Sequence, residues 1–286
     1  MKGKRDIVES NEAVVGIVVT VLLIGLVLSV TVMINNVYVP QWVEQEEVTH
    51  MDQVSQQFSQ LKYAIDMQSM IEGSTSVSTG ITLGNREIPF FNAGRSYGSL
   101  AIDPNSCIFT VNWTDAGNLL SKIYSTDSII YSSGNSYYVD QDYVLQGGAL
   151  ILNQDRTNVL IAKPSIIVDK DSNGLITINF TLNNIQGVEG KTAGGGFGTY
   201  EVFTQVTESS VNFTKYSTID NITIETAYPE AWNSSIRRSF FQPGLLINHT
   251  AKTLPNKLVI TFNEYYPITI NSIEIKTEIG FGISNI

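Results

Sequence analysis

Cysteine is nearly absent. Cys107 stands alone, so no intramolecular disulfide framework can hold the fold together. Histidine is almost as scarce: His50 and His249 leave little from which to build a metal site. Basic residues are few, 17 against 27 acidic ones, and the net charge is −10. With no basic run anywhere, the electrostatic footprint that nucleic acid requires is missing, and nucleic acid is excluded as a partner. No motif in the chain implies a cofactor. Stability must therefore come from packing.

Charge is wholly missing from one stretch, Ala13 to Ile34, which is built almost entirely of Val, Leu, Ile and Gly. At about 1.5 Å per residue its roughly 22 residues make a helix of about 33 Å, enough to cross a hydrocarbon core of about 30 Å. A cleaved secretory signal would have an apolar region of roughly 7 to 15 residues and a small-residue cleavage site. Here Asn35-Asn36-Val37-Tyr38 follows instead, so a retained single span is expected. No ionisable residue lies within it, which argues against a proton or ion path. Lys2, Lys4 and Arg5 precede the span and the next basic residue is Lys62, so the N-terminus is expected in the cytoplasm and the bulk outside. Ser10 or Asn11 suits the helix cap, and Tyr38 and Trp42 suit the outer interface.

Pro40 is expected to end or kink the helix because it cannot donate a backbone hydrogen bond. From Gln41 to about Glu72 the chain has no Gly or Pro, and Val48, Met51, Val54, Phe58, Leu61 and Ile65 recur every three or four residues. That is one apolar stripe on a helix, fit to pack on the protein's own β domain or on a neighbouring copy. His50 reads as a polar surface residue of this helix. The expected division is a cytoplasmic leader at 1–12, a transmembrane helix at 13–34, an extracellular amphipathic helix at 35–73 and a β domain at 74–286.

From about Ile81 short alternating runs appear, separated by Gly, Asn, Asp, Pro and Ser. They are Ile88 to Phe91, Cys107 to Trp113, Tyr137 to Leu145, Ala149 to Leu152, Asn158 to Ala162, Ser165 to Val168, Leu175 to Leu182, Thr199 to Phe213, Ile222 to Thr226, Leu258 to Phe262 and Ile268 to Ile279. The pattern predicts a mainly β fold, an extracellular antiparallel β-sandwich of jelly-roll type. One short helix interrupts it, opened by Pro229 and carrying Trp232, Ile236 and Phe240 on one face.

Three motifs invite a chemical reading, and each has a plainer one. Gly94-Arg95-Ser96-Tyr97-Gly98 matches the nucleophile elbow, but a strand follows where a helix should, and His249 is the only downstream histidine. No catalytic residue is assigned. Asp169, Asp171 and Asn173 resemble half a calcium loop, yet Phe180 stands where the closing glutamate belongs. A hairpin turning through Asn173-Gly174 accounts for the same residues. Gly190-Lys191-Thr192 resembles the end of a P-loop without its earlier glycine, and the glycine-rich run Gly187 to Gly198 reads as a flexible loop. Six sequons follow the span, at Asn112, Asn179, Asn212, Asn221, Asn233 and Asn248, each a glycan acceptor in an exported chain.

The polar leader Glu9-Ser10-Asn11-Glu12-Ala13-Val14-Val15-Gly16, with the Val/Ile/Leu span and the Gln-rich helix after it, resembles the N-terminus of archaeal type IV pilin-like proteins. Val39-Pro40-Gln41-Trp42, Thr82-Leu83-Gly84, Gly147-Gly148-Ala149-Leu150 and Tyr228-Pro229-Glu230-Ala231-Trp232 resemble a group of uncharacterised single-span archaeal surface proteins. The resemblance implies a helix holding a β head outside the membrane, and removal of the leader by a dedicated peptidase, after Gly3 or before Ala13. Glu12 departs from the pattern, standing where such proteins often carry arginine. The expected partners are membrane lipid along Ala13 to Ile34 and copies of the same chain through the N-terminal helix. The expected role is structural or adhesive, as a filament subunit. The alternative is an anchored module that never polymerises and binds a surface glycan or surface-layer protein, for which Tyr97, Tyr137, Tyr138, Tyr265 and Tyr266 are the aromatic candidates.

Overall fold

The computed structural model describes residues 6–71, 75–85, 96–155, 157–207, 212–216, 219–242 and 245–280, with backbone alone at 6–13, 212–216 and 242. Helix α1 (Asp6–Met33), a π-helical turn (Ile34–Tyr38) and α2 (Val39–Ile71) run on without a break. From Val14 to Ile71 this is 58 residues, about 87 Å at about 1.5 Å each. Within the apolar half, the hydroxyls of Thr20, Ser29 and Thr31 donate to carbonyls one turn back, so they leave no polar group unpaired. Pro40 does not end the helix. The wider turn before it, in which the Val39 N–H reaches back five residues to the Ile34 carbonyl, absorbs the ring that a regular α-turn could not.

The strands are β1 (Val77–Thr82), β2 (Tyr97–Asp115), β3 (Asn118–Gly134), β4 (Gln141–Gln146), β5 (Ala149–Gln154), β6 (Thr157–Ala162), β7 (Ser165–Lys170), β8 (Ile176–Gly187), β9 (Ala193–Gly196), β10 (Thr199–Val206), β11 (Asn212–Tyr216) and β12 (Asn221–Thr226). Helix α3 (Pro229–Phe240) follows, then β13 (Phe241–Gln242), β14 (Leu245–Leu246), β15 (His249–Leu254), β16 (Lys257–Phe262) and β17 (Ile268–Gly280). One sheet has the order β1-β10-β17-β8-β7, with β11 also on β17. A second runs β15-β16-β12-β2-β3-β4-β5-β6, with β9 also on β2, and among the described strands β13 pairs only with β14. The head is thus the β-rich domain that the alternation predicts. Its described pairs are antiparallel except β8 with β17, which run parallel from Ile178↔Ile268 to Gly187↔Thr277.

The long strands serve two cores. On β4, Tyr143 and Leu145 enter one and Val144 the other, so this strand is covered on both faces. The first core joins the α2 stripe, Met51, Val54, Phe58, Leu61 and Ile65, to side chains of both sheets. The second is built around Trp232, Ile236 and Phe240 of α3, with Cys107, Phe109 and Val111 of β2. Along β2, Leu100 and Ile102 feed the first core and Cys107 onward the second, and the register shifts between Asp103 and Cys107, where Asn105 has φ 51°. The irregularity inserts residues that re-aim the strand between cores.

Several local expectations change. Ile88 to Phe91 lies outside the described residues. The run Tyr137 to Leu145 is strand only from Gln141, because the N–H groups of 136–138 are bonded elsewhere, as described below. Thr199 to Phe213 is two strands, β10 and β11, both on the same edge of β17. The long strand β3 pairs with β2 through a two-residue turn whose Ala116 and Gly117 have φ 48° and 86°. The glycine-rich run is not a loose loop throughout, since Ala193–Gly196 forms β9. A Cβ on Gly194 would stand 2.4 Å from the Tyr200 ring, and one on Gly195 would stand 2.2 Å from the Tyr97 hydroxyl. These glycines permit close approach.

Phe58 is fully buried between Tyr131 and Tyr143, at ring distances of 6.4 and 5.9 Å. Phe58→Ala is expected to lower the unfolding free energy of the detergent-solubilised chain by about 3–5 kcal/mol. Exposed Tyr63→Ala should change it by no more than about 0.5 kcal/mol. Chemical denaturation followed by circular dichroism checks both.

Candidate functional site

Two features stand out from a head otherwise concerned with its own packing, and both belong to the long helix. The first is its bare surface. Every residue from Val14 to Met33 is exposed, all round the helix, and among the described residues this helix alone is long and apolar enough to cross a membrane. Beyond it, the outer face of α2 loses its charge. Its exposed residues from Gln53 to Ile71 are Gln53, Gln56, Ser59, Gln60, Tyr63, Met67, Met70 and Ile71, with Tyr63 67 % and Met70 80 % exposed. A solvated helix face normally carries charge of both signs. This one ends in a cluster of four apolar side chains.

The helix is tied to the head by polar contacts as well as by its stripe. Glu47 is completely buried, and its carboxylate accepts the backbone N–H groups of Ser136 at 2.7 Å, Tyr137 at 2.9 Å and Tyr138 at 2.7 Å. Charge-assisted bonds of this kind offset the cost of burying the carboxylate, and they use the donors that a longer β4 would need. At the far end, Gln68 donates to the carbonyls of Thr75 and Thr204 and accepts from the Thr204 hydroxyl, each at 2.8 Å. Ser69 donates to Asn183 Oδ1 at 3.0 Å, and Asn183 in turn donates to Asp66, which also pairs with Lys62.

The second feature is a pocket of about 560 Å³ between α2 and the end of β1, lined by Glu46, Thr49, His50, Gln53, Thr82, Gly84, Asn85 and Thr199. His50, expected at the surface, is only 4 % exposed. Its Nε2 lies 3.0 Å from the Thr82 carbonyl, which can only accept, so Nε2 carries the proton and Nδ1 keeps a lone pair. Nδ1 has no hydrogen-bond partner. Burial pushes the imidazole below its ordinary value, against the upward pulls of the Thr82 carbonyl and Glu47.

The motif residues are not brought together into a catalytic site. Ser96 is buried, its Oγ accepts the Asn85 N–H at 3.3 Å, and its own N–H donates to Asn85 Oδ1 at 3.0 Å. His249 stands edge-on to Phe240 at 5.0 Å, against the α3 core. In the half calcium loop, Asp171 Oδ1 accepts from the N–H of Asn173 at 2.9 Å and Leu175 at 2.8 Å, and Asp169 Oδ1 from that of Lys170. These oxygens shape the β7–β8 hairpin, with Gly174 at φ 85°. Among the described residues no three or more His, Cys, Asp or Glu side chains group as a metal site would need. Cys107 is buried, and its thiol is pushed well above the usual range by desolvation.

Of the sequon asparagines, Asn248 is exposed and bonded to Glu264 and Asn263. Asn112 and Asn221 are half-buried cross-strand partners, joined by a 2.8 Å bond from Asn112 Nδ2. Asn179 on β8 and Asn233 on α3 are half-buried, and Asn212 is described by its β11 backbone. Ala13 lies within α1, and Gly3 lies outside the described residues. Of the aromatic candidates, Tyr97, Tyr137 and Tyr265 are exposed and Tyr266 is buried. The pocket and the Glu47 contact were missed in the sequence; the one signal was a Glu and a His on the head-facing side of an otherwise apolar stripe.

The His50 environment gives a pH dependence. The folded ring resists a proton that the unfolded chain accepts at its ordinary value of about 6.5, so this contribution to stability is complete above that pH and declines as pH falls below it. Between about pH 7 and pH 5, His50→Gln should show a shallower loss of unfolding free energy than the parent chain, by urea titration at each pH.

No curated protein and no solved structure matches the chain. A model of a family of unknown function, DUF7289, matches residues 13–263, from the apolar helix to the end of β16. The match takes in both the bare helix and the pocket, and the chain belongs to the DUF7289 family.

Proposed function

We propose that this protein is a pilin-like surface subunit, anchored in a membrane by Ala13 to Ile34, that assembles side by side with copies of itself through the long helix and holds its β head outside the cell. One observation carries the reading: the surface of a single helix is apolar all round from Val14 to Met33 and uncharged along its outer face from Gln53 to Ile71. Lipid covers the first part. A second copy of the same helix suits the rest, because Tyr63, Met67, Met70 and Ile71 present apolar area with no charge to repel a like surface. Lys2, Lys4 and Arg5 favour a cytoplasmic N-terminus. The role that follows is structural or adhesive, with no catalysis. The pocket beside His50 favours a second reading, an anchored binding module that does not polymerise.

Buried Cys107 makes cysteine cross-linking clean. In membranes treated with a mild oxidant, Tyr63→Cys and Met70→Cys are expected to give covalent dimers, while Lys252→Cys on the exposed strand β15 gives none above background. Lys at both 63 and 70 should abolish higher-order assembly on native gels. Equal cross-linking at all three positions, or none at Tyr63 and Met70, would overturn assembly by this face. Mass spectrometry of the native protein's first peptide is expected to show an N-terminus after Gly3 or at Ala13; retention of Met1 would favour the second reading.

A further inference from the structure

Lysine is among the residues least often buried, yet Lys62 is only 7 % exposed and stands in the same turn of α2 as Leu61 and Ile65 of the core stripe. Its Nζ bonds to Asp66 Oδ2 at 2.5 Å, one turn along the helix. The other oxygen of that carboxylate, Oδ1, accepts from the side-chain amide nitrogen of Asn183 on β8 at 3.1 Å. Asn183 is 3 % exposed, and its own Oδ1 accepts the Ser69 hydroxyl at 3.0 Å. Lys62, Asp66 and Ser69 thus form one row on α2, spaced as successive turns require, and the Asn183 amide lies against it.

Each contact places a group where an amide exchange needs it. The Lys62 amine is the nucleophile. Asp66 touches both that amine and the nitrogen that would leave, the position from which one carboxylate serves first as base and then as acid. The Ser69 hydroxyl donates to the oxygen on which negative charge would develop. The flexible four-carbon stem of Lys62 lets Nζ swing from the carboxylate to the amide carbon beyond it. The Asp66 side chain is 33 % exposed, which gives the leaving group a way out to water.

We propose that Lys62 and Asn183 join in an isopeptide bond that ties α2 covalently to β8. Nζ gives a proton to Asp66, and its lone pair forms a bond to Asn183 Cγ. The carbonyl electrons move onto Oδ1 and return as the Cγ–Nδ2 bond breaks. Of the three protons on Nζ one stays; the other two pass through Asp66 to Nδ2, which departs as ammonium. Asp66 ends as it began, and no co-reactant enters the balance. Asp66 and Asn183 are 117 positions apart, so the bond closes a long loop and restricts the unfolded chain. It also carries any pull on the helix straight into the sheet, whether or not the chain assembles with copies of itself.

The test is mass spectrometry of the full chain, purified in detergent and digested with trypsin after denaturation. The host lacks N-glycosylation, because the sequon at Asn179 lies close to Asn183. Trypsin does not cut at an acylated lysine. A piece running through Lys62 to Arg86 is therefore expected, joined to 171–191 and lighter than the two together by about 17 Da, one ammonia. Lys62→Met and Asn183→Ala should each abolish the joined piece, and on denaturing gels both should migrate more slowly than the parent chain, whose loop stays closed. Asp66→Asn keeps the size of the side chain without its proton transfer and should reduce the joined fraction about tenfold or more. Complete cleavage after Lys62 in the parent chain, with 171–191 recovered at its unmodified mass, would overturn the proposal, and that reading depends on no variant. An undiminished joined fraction in Asp66→Asn would remove Asp66 from the reaction.

Discussion

A helix that enters a β-sandwich with one face apolar must find cover for that face and partners for whatever polar groups go in with it. In this protein α2 meets both demands, the first with the stripe from Met51 to Ile65 and the second with Glu47 at one end and the Gln68, Ser69 and Asn183 contacts at the other. The polar contacts are directional, so they set the register of the helix on the sheets where apolar packing alone would tolerate sliding. The apolar segment before Pro40 is continuous with this clamped helix. Any force on the head therefore passes to the apolar end through a single backbone, with the π-turn as its one irregularity.

The second core explains how so large a head can hang on one helix. The α2 core reaches only part of the long strands; beyond it, α3 covers the remaining sheet surface with Trp232, Ile236 and Phe240. Phe109 of β2 meets Trp232 edge to face at 5.1 Å, and Gly147 at φ 55° lets the β4–β5 turn pass over both rings. Strands β2, β8 and β17 contribute to both cores, which joins the two halves into one body through backbone and not through a linker.

Much of this was legible from periodicity. The stripe on α2, the limits of α3 and most strands follow from spacing alone, because each buries one face and leaves the other wet. The failures share a cause: residues whose surroundings are set by distant segments. His50 looks like any polar helix residue until Thr82, 32 positions on, supplies its carbonyl. Tyr137 to Val139 alternate like a strand, but Glu47 takes the donors at 136–138. Strand β3 hides because its inward positions include Thr126 and Ser128 while Leu119 and Ile123 point outward, which breaks the alternation, and its turn uses Ala116-Gly117 in place of the usual Asn-Gly. The glycines of β9 signal flexibility by composition, whereas the rings of Tyr200 and Tyr97 require them.

The two features of the long helix do not compete for space. The pocket uses Glu46 to Gln53, on a flank of α2 that faces the end of β1, while the apolar outer cluster begins at Tyr63, 13 residues past His50 and about 20 Å further along. The core stripe lies on the opposite side of the helix from that cluster, since Val54, Phe58, Leu61 and Ile65 are fully buried where Gln56, Gln60, Tyr63 and Met67 are exposed. A neighbouring helix laid along the outer cluster would thus leave the pocket mouth open. One helix can thus be clamped to the head, carry an uncharged outer face and border a polar cavity, because a helix offers three separable faces over this length.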